Sequence, residues 1–489
     1  MQSQSSAAAL RTQFEQGLAL HRAGKLAPAA EHYRTVLAAD PRHAGALHML
    51  GVVHQQQGRA DQAVAFIRRS LAIDPGQVEA HANLGLALTA AGDLQAAYES
   101  YTQALALKPD HGAALIGRGA VLRDLDRSDE ALADLEAAVR LLPASPLAAY
   151  GRGQVLKDHH RLADALADLR RAVALAPDLA EAHVALAEAL FLHGDAAAAW
   201  PEYEWRWRTA GMTPLRREFA QAGWQGAEPV HGKTILIHAE QGLGDTIQFC
   251  RYAAALTGLG ARVLLEVPAE LEPLMSSLAD VQVLVRGQPL PAFDTHCPLL
   301  SLPPALMRAG RADMPPAPYL GADAARLAAW RARLGAAARP RVGLAWAGRP
   351  SHANDRNRSL RLDQLRPLFA ADAEFVALQK DMRAADAAAM AGLPQLRALG
   401  GDLRDFADTA AVVAQLDLVI AVDTAVAHLA GALGKPVWIL LPFVPDWRWG
   451  LDRERTPWYG TARLFRQTRR GDWEGVLARV AAELKAWLE

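Results

Sequence analysis

The sequence predicts an α-solenoid of helical hairpins followed by an α/β region of two lobes, and three observations carry that expectation. A proline recurs every 34 residues, at Pro41, Pro75, Pro109, Pro143 and Pro177. From Thr234 onward, short runs rich in β-branched residues alternate with helical stretches. All 12 tryptophans lie at or after Trp200, so the two parts are built from different material. At 489 residues the chain has room for about three domains of ~150 residues. Its 51% hydrophobic and 21% charged residues exclude a mainly disordered chain.

The period of 34 also carries Gly17, Gly51, Gly85, Gly119 and Gly153, and Ala29, Ala63, Ala97, Ala131 and Ala165. Small residues at fixed points let two helices approach closely, and the proline at the end of each unit cannot continue the helix behind it. Gly24, Gly58 and Gly92 fall where the first helix of a unit stops. This pattern resembles the tetratricopeptide repeat, with five full units over about residues 10–179. A degenerate sixth unit keeps Ala187, Gly194, Ala199 and Tyr203 and runs into Trp200–Arg208, read as a capping helix. The solenoid domain is expected over residues 1–211. Stacked hairpins curve into a groove suited to an extended protein or peptide segment, which is the partner expected there. Eleven of the 16 histidines lie in this half, at no common repeat position and with no metal-binding spacing.

After a linker around Gly223–Gly232, Thr234–His238 reads as a strand, Gln241-Gly242-Leu243-Gly244-Asp245 as a turn and Thr246–Leu256 as a helix. Further strands are expected at Arg262–Val267 and Val281–Val285 in a first lobe over residues 229–335, with a helix at Ala324–Leu334. A second lobe over residues 336–489 is expected to hold strands at Val342–Trp346, Phe375–Gln379, Leu396–Leu399, Leu418–Val422 and Val437–Leu441. Two open α/β lobes gather their loops at the carboxyl ends of the strands, so a ligand cleft is expected between them.

Asp423-Thr424-Ala425-Val426-Ala427-His428 follows an apolar strand and opens a helix, whose N-terminus suits a diphosphate. Thr424 can cap that helix and donate its hydroxyl, and His428 points back toward the helix start from the same face. Asp245, heading a helix behind the turn of Gly242, Leu243 and Gly244, can accept a hydroxyl proton as a general base. Arg358 and Lys380, with the helix start at Thr424, can offset charge growing on a leaving diphosphate, and Gln379 borders the same loops. Asp402–Thr409 reads mainly as acidic helix-terminal charge, with a border of the nucleotide pocket as the alternative. Asp446–Trp449 and Pro457–Tyr459 form an aromatic region expected to anchor the lobes and to cover a base or sugar.

The segment Asp423–Gly434, followed by Lys435-Pro436, resembles the donor-binding segment of the ADP-heptose heptosyltransferases, and Gly242–Asp245 resembles that family's Gly-Asp turn, whose Asp is taken as the catalytic base. The resemblance covers roughly Thr234–Leu488. It implies a GT-B fold of two Rossmann-like lobes, the first on the acceptor side and the second on the nucleotide-sugar side, and a metal-independent transfer with no cofactor beyond the nucleotide-sugar co-substrate. The joining of repeats to such lobes is similar to the layout of O-GlcNAc transferase, which implies a protein Ser/Thr acceptor. Departures are Ala425 in place of the usual Gly, Asp355–Ser359 in place of a phosphate-binding Lys, and the lack of an asparagine ladder beyond Asn83. The expected activity is therefore glycosyl transfer to a protein held by the solenoid. A saccharide or lipid-glycan acceptor and a non-catalytic scaffold are the alternatives.

The formal charge of -1, from 52 Lys+Arg and 53 Asp+Glu, gives no electrostatic case for nucleic acid or an anionic membrane. The only Asp-x-Asp, Asp124-Leu125-Asp126, lies in a repeat turn and indicates no metal-diphosphate site. Two cysteines, Cys250 and Cys297, fit buried thiols. Neither a basic n-region with an apolar stretch nor a spanning segment is present in the sequence, so a cytoplasmic protein with no membrane span is expected.

Overall fold

The computed structural model describes residues 2–352 and 354–489, with side chains from residue 7 onward. It forms two compact units, Met1–Ala189 and Leu190–Glu489.

The first unit is a ladder of helical hairpins. Helices α1 (Gln2–Arg22) and α2 (Leu26–Ala39) form the first, α3 (Ala44–Gln56) and α4 (Ala60–Ile73) the second, and α5 (Val78–Ala90) and α6 (Leu94–Leu107) the third. They are followed by α7 (Gly112–Asp124) with α8 (Ser128–Leu141), and α9 (Pro146–Asp158) with α10 (Leu162–Leu175). From α2 to α10 the second helices begin at residues 26, 60, 94, 128 and 162, so the sequence period is also the structural one.

Each repeated glycine sits under a large side chain of the second helix. A Cβ at Gly17 would lie 2.6 Å from Tyr33, at Gly51 2.5 Å from Ile67, at Gly85 2.8 Å from Tyr101, at Gly119 2.7 Å from Leu135 and at Gly153 2.8 Å from Leu169. The alanines Ala29, Ala63, Ala97, Ala131 and Ala165 are fully buried at the same crossings. The turn inside each hairpin needs one residue in the left-handed region. Gly24, Gly58 and Gly92 supply it with φ of 73°, 73° and 82°, while Asp126 and His160 hold the same place with φ of 60° and 59°.

The histidines correct the expectation of no common position. His43 and His111 are two periods apart and both accept a backbone N–H at a helix N-terminus, from Ala46 and Ala114, as Ser145 does from Ala148. His81 and His183, three periods apart, each place Nε2 2.9 Å from a repeat-proline carbonyl, of Pro75 and Pro177. The first use caps a helix, and the second ties a helix to the turn before it. Two buried ion pairs also follow the repeat: Arg118 grips Asp134 through both oxygens, and Arg152 grips Asp168.

Helix α11 (Ala180–His193) crosses from one unit to the next, and α12 (Ala196–Tyr203) lies in the second unit. There Trp200 meets Phe249 and Trp447, and Phe191 stacks on Trp447 at 4.1 Å. The turn after α12 buries Arg206 against Glu204 and Glu240 at 2.6 and 3.2 Å. Glu240 also accepts the N–H groups of Leu299 and Leu300, and burial lifts its carboxyl to about 7.

The second unit contains two all-parallel sheets. In the first, β1 (Thr234–His238), β2 (Arg262–Val267), β3 (Val281–Val285) and β4 (Thr295–Pro298) take the order β3-β2-β1-β4. In the second, β5 (Arg341–Ala345), β6 (Glu374–Ala377), β7 (Leu396–Ala398), β8 (Leu418–Val422), β9 (Val437–Leu441) and β10 (Ala462–Arg466) take the order β10-β9-β8-β5-β6-β7. Strands β5, β8 and β9 are buried along their whole length, which suits near-continuous apolar runs in a sheet covered on both faces. One face packs on the Trp473–Leu488 helix through Trp473, Val476, Val480 and Leu484.

This architecture, a helical solenoid before an α/β region with parallel sheets, is consistent with GT-B. Strand order reverses between β1 and β4 and between β5 and β8, the points where open α/β sheets bind ligands. No helix among the described residues is long and apolar enough to cross a membrane. Both cysteines are buried free thiols.

Candidate active site

The glycine turn after β1 leads into the Leu243–Phe249 helix, with Gly242 at its N-cap. Asp245 reaches back to accept the Gly242 N–H at 2.9 Å, which fixes the carboxylate at the turn. The helix itself is shorter than the expected Thr246–Leu256. It tightens to a 3₁₀ turn at Cys250–Tyr252 before a last helical turn, Ala253–Thr257, so the buried faces of Phe249, Cys250 and Leu256 can all meet the core.

From the other sheet, β8 ends at Val422, and Asp423 and Thr424 lead into the Ala425–Ala432 helix. Gly244 is where the two elements meet: a Cβ there would lie 3.0 Å from the His428 ring and 3.5 Å from Ala425 Cα. The second glycine of the turn is thus needed for close approach. It brings Gly242, Leu243, Gly244 and Asp245 against the segment of Asp423, Thr424, Ala425, Val426 and His428.

Thr424 departs from the expected cap. It stands at the N-cap position with φ -144° and ψ 171°, but its hydroxyl takes no cap hydrogen bond and is buried with no partner. Asp405 caps its own helix from nearly the same backbone geometry, φ -149° and ψ -177°, whereas Thr424 leaves the N-terminus of the Ala425–Ala432 helix without a side-chain cap. His428 does point back toward the helix start, with Nε2 3.9 Å from Asp423 Oδ1 and Nδ1 2.9 Å from the Tyr459 hydroxyl. Arg358, at the end of the Asp355–Arg358 helical turn, donates from Nη1 to the Asp423 carbonyl at 3.0 Å, and its Nε is buried without a partner.

Gln379 and Lys380 are placed differently. The Gln379 amide is used inside the lobe, accepting the Ala347 N–H at 3.1 Å and donating to the Asp381 carbonyl at 3.2 Å. Lys380 is exposed and donates to the Arg404 carbonyl at 2.8 Å, because the chain after β6 turns toward the Arg404 loop. Neither makes a described contact with Asp423, Thr424 or Asp245. Asp402–Thr409 is structural as read: Asp405 caps the Phe406–Val413 helix, and buried Asp408 is bound by Arg326, Arg404 and Trp330.

Arg448 is the group the sequence did not single out. It is nearly buried, donates to Asp245 and to Gln248 Oε1 at 2.7 Å, and meets Asp446 at 2.9 Å. Burial opposes its charge, but the carboxylates of Asp446 and Asp245 more than offset this and raise its pKa. Burial likewise works against the charged Asp446, and Arg448 overcomes it to hold that carboxyl low. Asp423 has less compensation: burial, then the Asp446 charge, lift it to about 6 against the pull of Arg358. Burial, then Arg448, push His428 down to about 3, so its ring is neutral. The aromatic loop around these groups acts as packing: Trp449 stacks on His428 at 5.3 Å, and Trp458 meets Phe249 at 5.7 Å.

The site thus packs the turn that holds Asp245, after β1, against the start of the Ala425–Ala432 helix, after β8, at the strand-order reversals of two parallel sheets. Comparison with known proteins gives it a family likeness. Residues 375–440 match Glycosyltransferase family 9 (heptosyltransferase), a span holding Gln379, Lys380 and the Asp423–His428 segment. Tetratricopeptide repeat descriptions match residues 14–78, 150–211 and 78–111. The chain therefore carries tetratricopeptide repeats and a glycosyltransferase family 9 domain. Protein FlbA of Caulobacter vibrioides is 29% identical over 333 residues, covering 63% of this chain and 55% of FlbA, so the chain spans about half the length of that relative. Among solved structures, Pseudomonas aeruginosa pilF is 20% identical with a TM-score of 0.37, over 43% of this chain and 97% of that one. A thermophilic TPR protein of Thermus thermophilus is 23% identical with a TM-score of 0.32, over 37% and 98%.

Proposed function

We propose that this protein is a glycosyltransferase that moves a sugar from a nucleotide sugar to a hydroxyl of a protein, with Ser and Thr as the acceptor residues and the repeats holding the acceptor chain. The observation that supports the reading is the approach at Gly244, which packs the turn that holds Asp245 against the helix that begins at Ala425. In the proposed mechanism Asp245 takes the proton of the attacking hydroxyl as the bond to the diphosphate breaks. The helix N-terminus, the unpartnered Thr424 hydroxyl and the Arg358 guanidinium stabilise the charge that collects on the leaving group. No metal takes part: fixed donors do the work that a cation would otherwise do. Arg448 orients Asp245 and keeps the paired Asp446 ionised. The enzyme works in the cytoplasm, in keeping with its unpaired buried thiols.

A saccharide acceptor is the second reading, favoured by the heptosyltransferase description that residues 375–440 match. The deciding experiment incubates the full-length protein with UDP-, GDP-, ADP- and CMP-sugars, first with a protein extract and then with a glycan extract of the same cells. Release of nucleotide with a mass shift on Ser or Thr of a protein supports the first reading. A shift confined to the glycans supports the second, and no release with any donor leaves only a scaffold.

A further inference from the structure

A cavity of about 700 Å³ opens beside β1 and β4, apart from Asp245 and the Asp423 segment, none of which lines it. Its volume lies within the ~300–1,000 Å³ usual for small-molecule sites. One wall is sheet, with His238 as the last residue of β1 and His296 within β4. The other is the segment that follows α12. That segment runs along β4 as an extra edge: Gly223 bridges to His296, the Trp224 N–H donates to the His296 carbonyl at 2.7 Å, and the Thr295 hydroxyl donates to the Ala222 carbonyl at 2.6 Å. The cavity therefore sits at the first sheet's own strand-order reversal.

His238 is 3% exposed, and neither of its ring nitrogens has a hydrogen-bond partner. A buried imidazole with both nitrogens unmet costs free energy, so the arrangement calls for something that supplies partners. Its ring is held between Phe219 at 5.5 Å and His296 at 5.6 Å. His296 Nδ1 is likewise buried and unmet. Burial, then Arg217, push the His238 pKa to about 3, so the ring is neutral and presents one donor and one acceptor.

We propose that this cavity is a ligand site of the first sheet and that it takes a saccharide. A hydroxyl both donates and accepts, which is what a neutral imidazole needs on its two sides. A phosphate needs unspent cationic donors; of the three arginines in the lining, Arg217 is paired with buried Glu266 and Arg208 lies over the Trp205 ring, and Glu204 and Glu218 add two carboxylates to the same lining as Arg216. The C–H faces of a sugar ring need flat apolar surfaces, and Trp207 and Trp224 supply them; the Trp224 indole N–H is satisfied by the Glu228 carbonyl, leaving its ring as wall. The site is independent of Asp245 and stands whether the transferred sugar goes to protein or glycan.

Saturation-transfer NMR on the full-length protein, with N-acetylglucosamine, N-acetylneuraminic acid and maltose as separate probes and inorganic phosphate as a fourth, tests it. At least one sugar is expected to bind, with affinity falling about tenfold or more in His238→Phe and in Trp207→Ala. If His238→Phe does not fold by circular dichroism, the partly exposed Trp207→Ala decides alone. No binding by any sugar, equal binding by the variants, or His238-dependent binding of phosphate in place of sugar overturns the proposal.

Discussion

Asp245 has its carboxylate held from two sides, by the Gly242 N–H and by Arg448, so its direction is set before any substrate arrives. Replacing it by Asn keeps the size and one acceptor while removing the base. Transfer by Asp245→Asn is expected to fall ~10²–10⁴-fold, with sugar-nucleotide affinity kept within a few-fold, as read by nucleotide release and calorimetry. Asp423 behaves oppositely in electrostatic terms. Its folded pKa of about 6 lies above the ~3.9 of an unfolded Asp, so the folded state holds the proton more tightly and stability from this group is lost as pH rises from about 4 through 6. His428 and Glu240 also shift across this range, so the comparison must be a difference. Asp423→Asn is expected to gain on the wild type in melting temperature from pH 4 to pH 7 and to stay level above that. A difference independent of pH would sink the assignment. At this scale candidates were readable where the chemistry is local: Asp423, Thr424 and His428 lie within six residues behind one strand end. Arg448 was not, because its partner Asp245 is 203 residues away and only the folding-back of a loop joins them. Lys380 misled for the same reason, since a cation near a strand end does not reveal which way its loop turns.

Between residues and domains lies the repeat, where a single substitution can be judged against four natural copies of its own position. His160 adopts φ 59° where three repeats use glycine. Left-handed backbone costs a side-chain-bearing residue roughly 1–2 kcal/mol, and the extra freedom of unfolded glycine returns about 0.4–1. His160→Gly is therefore expected to stabilise by about 0.5–1 kcal/mol in urea titration followed by circular dichroism. The crossings predict the reverse. At Gly85 an added methyl would meet three carbons of the Tyr101 ring at 2.8 Å, and Tyr101 is 3% exposed with little room to move. Gly85→Ala is expected to cost about 1–3 kcal/mol in the same titration. These features repeat, which is why the solenoid was legible residue by residue. The strands of the second unit were legible where burial on both faces makes an apolar run, as in Leu418–Val422 and Val437–Leu441. Strands β4 and β10 escaped because Thr-His-Cys-Pro and Ala-Arg-Leu-Phe-Arg carry polar or charged residues that only their sheet neighbours explain.

The molecule as a whole has an optical asymmetry that matches its division into units. All 12 tryptophans lie at or after Trp200, whereas the unit Met1–Ala189 is a run of helices without one. Tryptophan emission therefore reports on Leu190–Glu489 alone, while far-ultraviolet circular dichroism is weighted toward the helices of the solenoid. A chain of two compact units is not bound to unfold in one step, so the two signals are expected to give different midpoints in a urea titration. A sugar nucleotide that binds at the Asp423–His428 segment stabilises only the folded form of the unit that holds it. At a free concentration of 100 Kd that gain is about 2.7 kcal/mol. The tryptophan midpoint is then expected to move to higher urea by that free energy divided by the transition's m-value, with the part of the circular dichroism transition that follows the solenoid left in place. In Arg358→Ala, which removes a cation beside Asp423, the same ligand concentration is expected to move the tryptophan midpoint less. A peptide captured by the repeats would produce the mirror image, a shift in circular dichroism with tryptophan emission unmoved. Measuring both signals in one titration separates donor binding from acceptor binding, since each ligand declares the unit it occupies. A nucleotide that shifted only the tryptophan-silent transition would refute the placement of the donor site in the α/β unit.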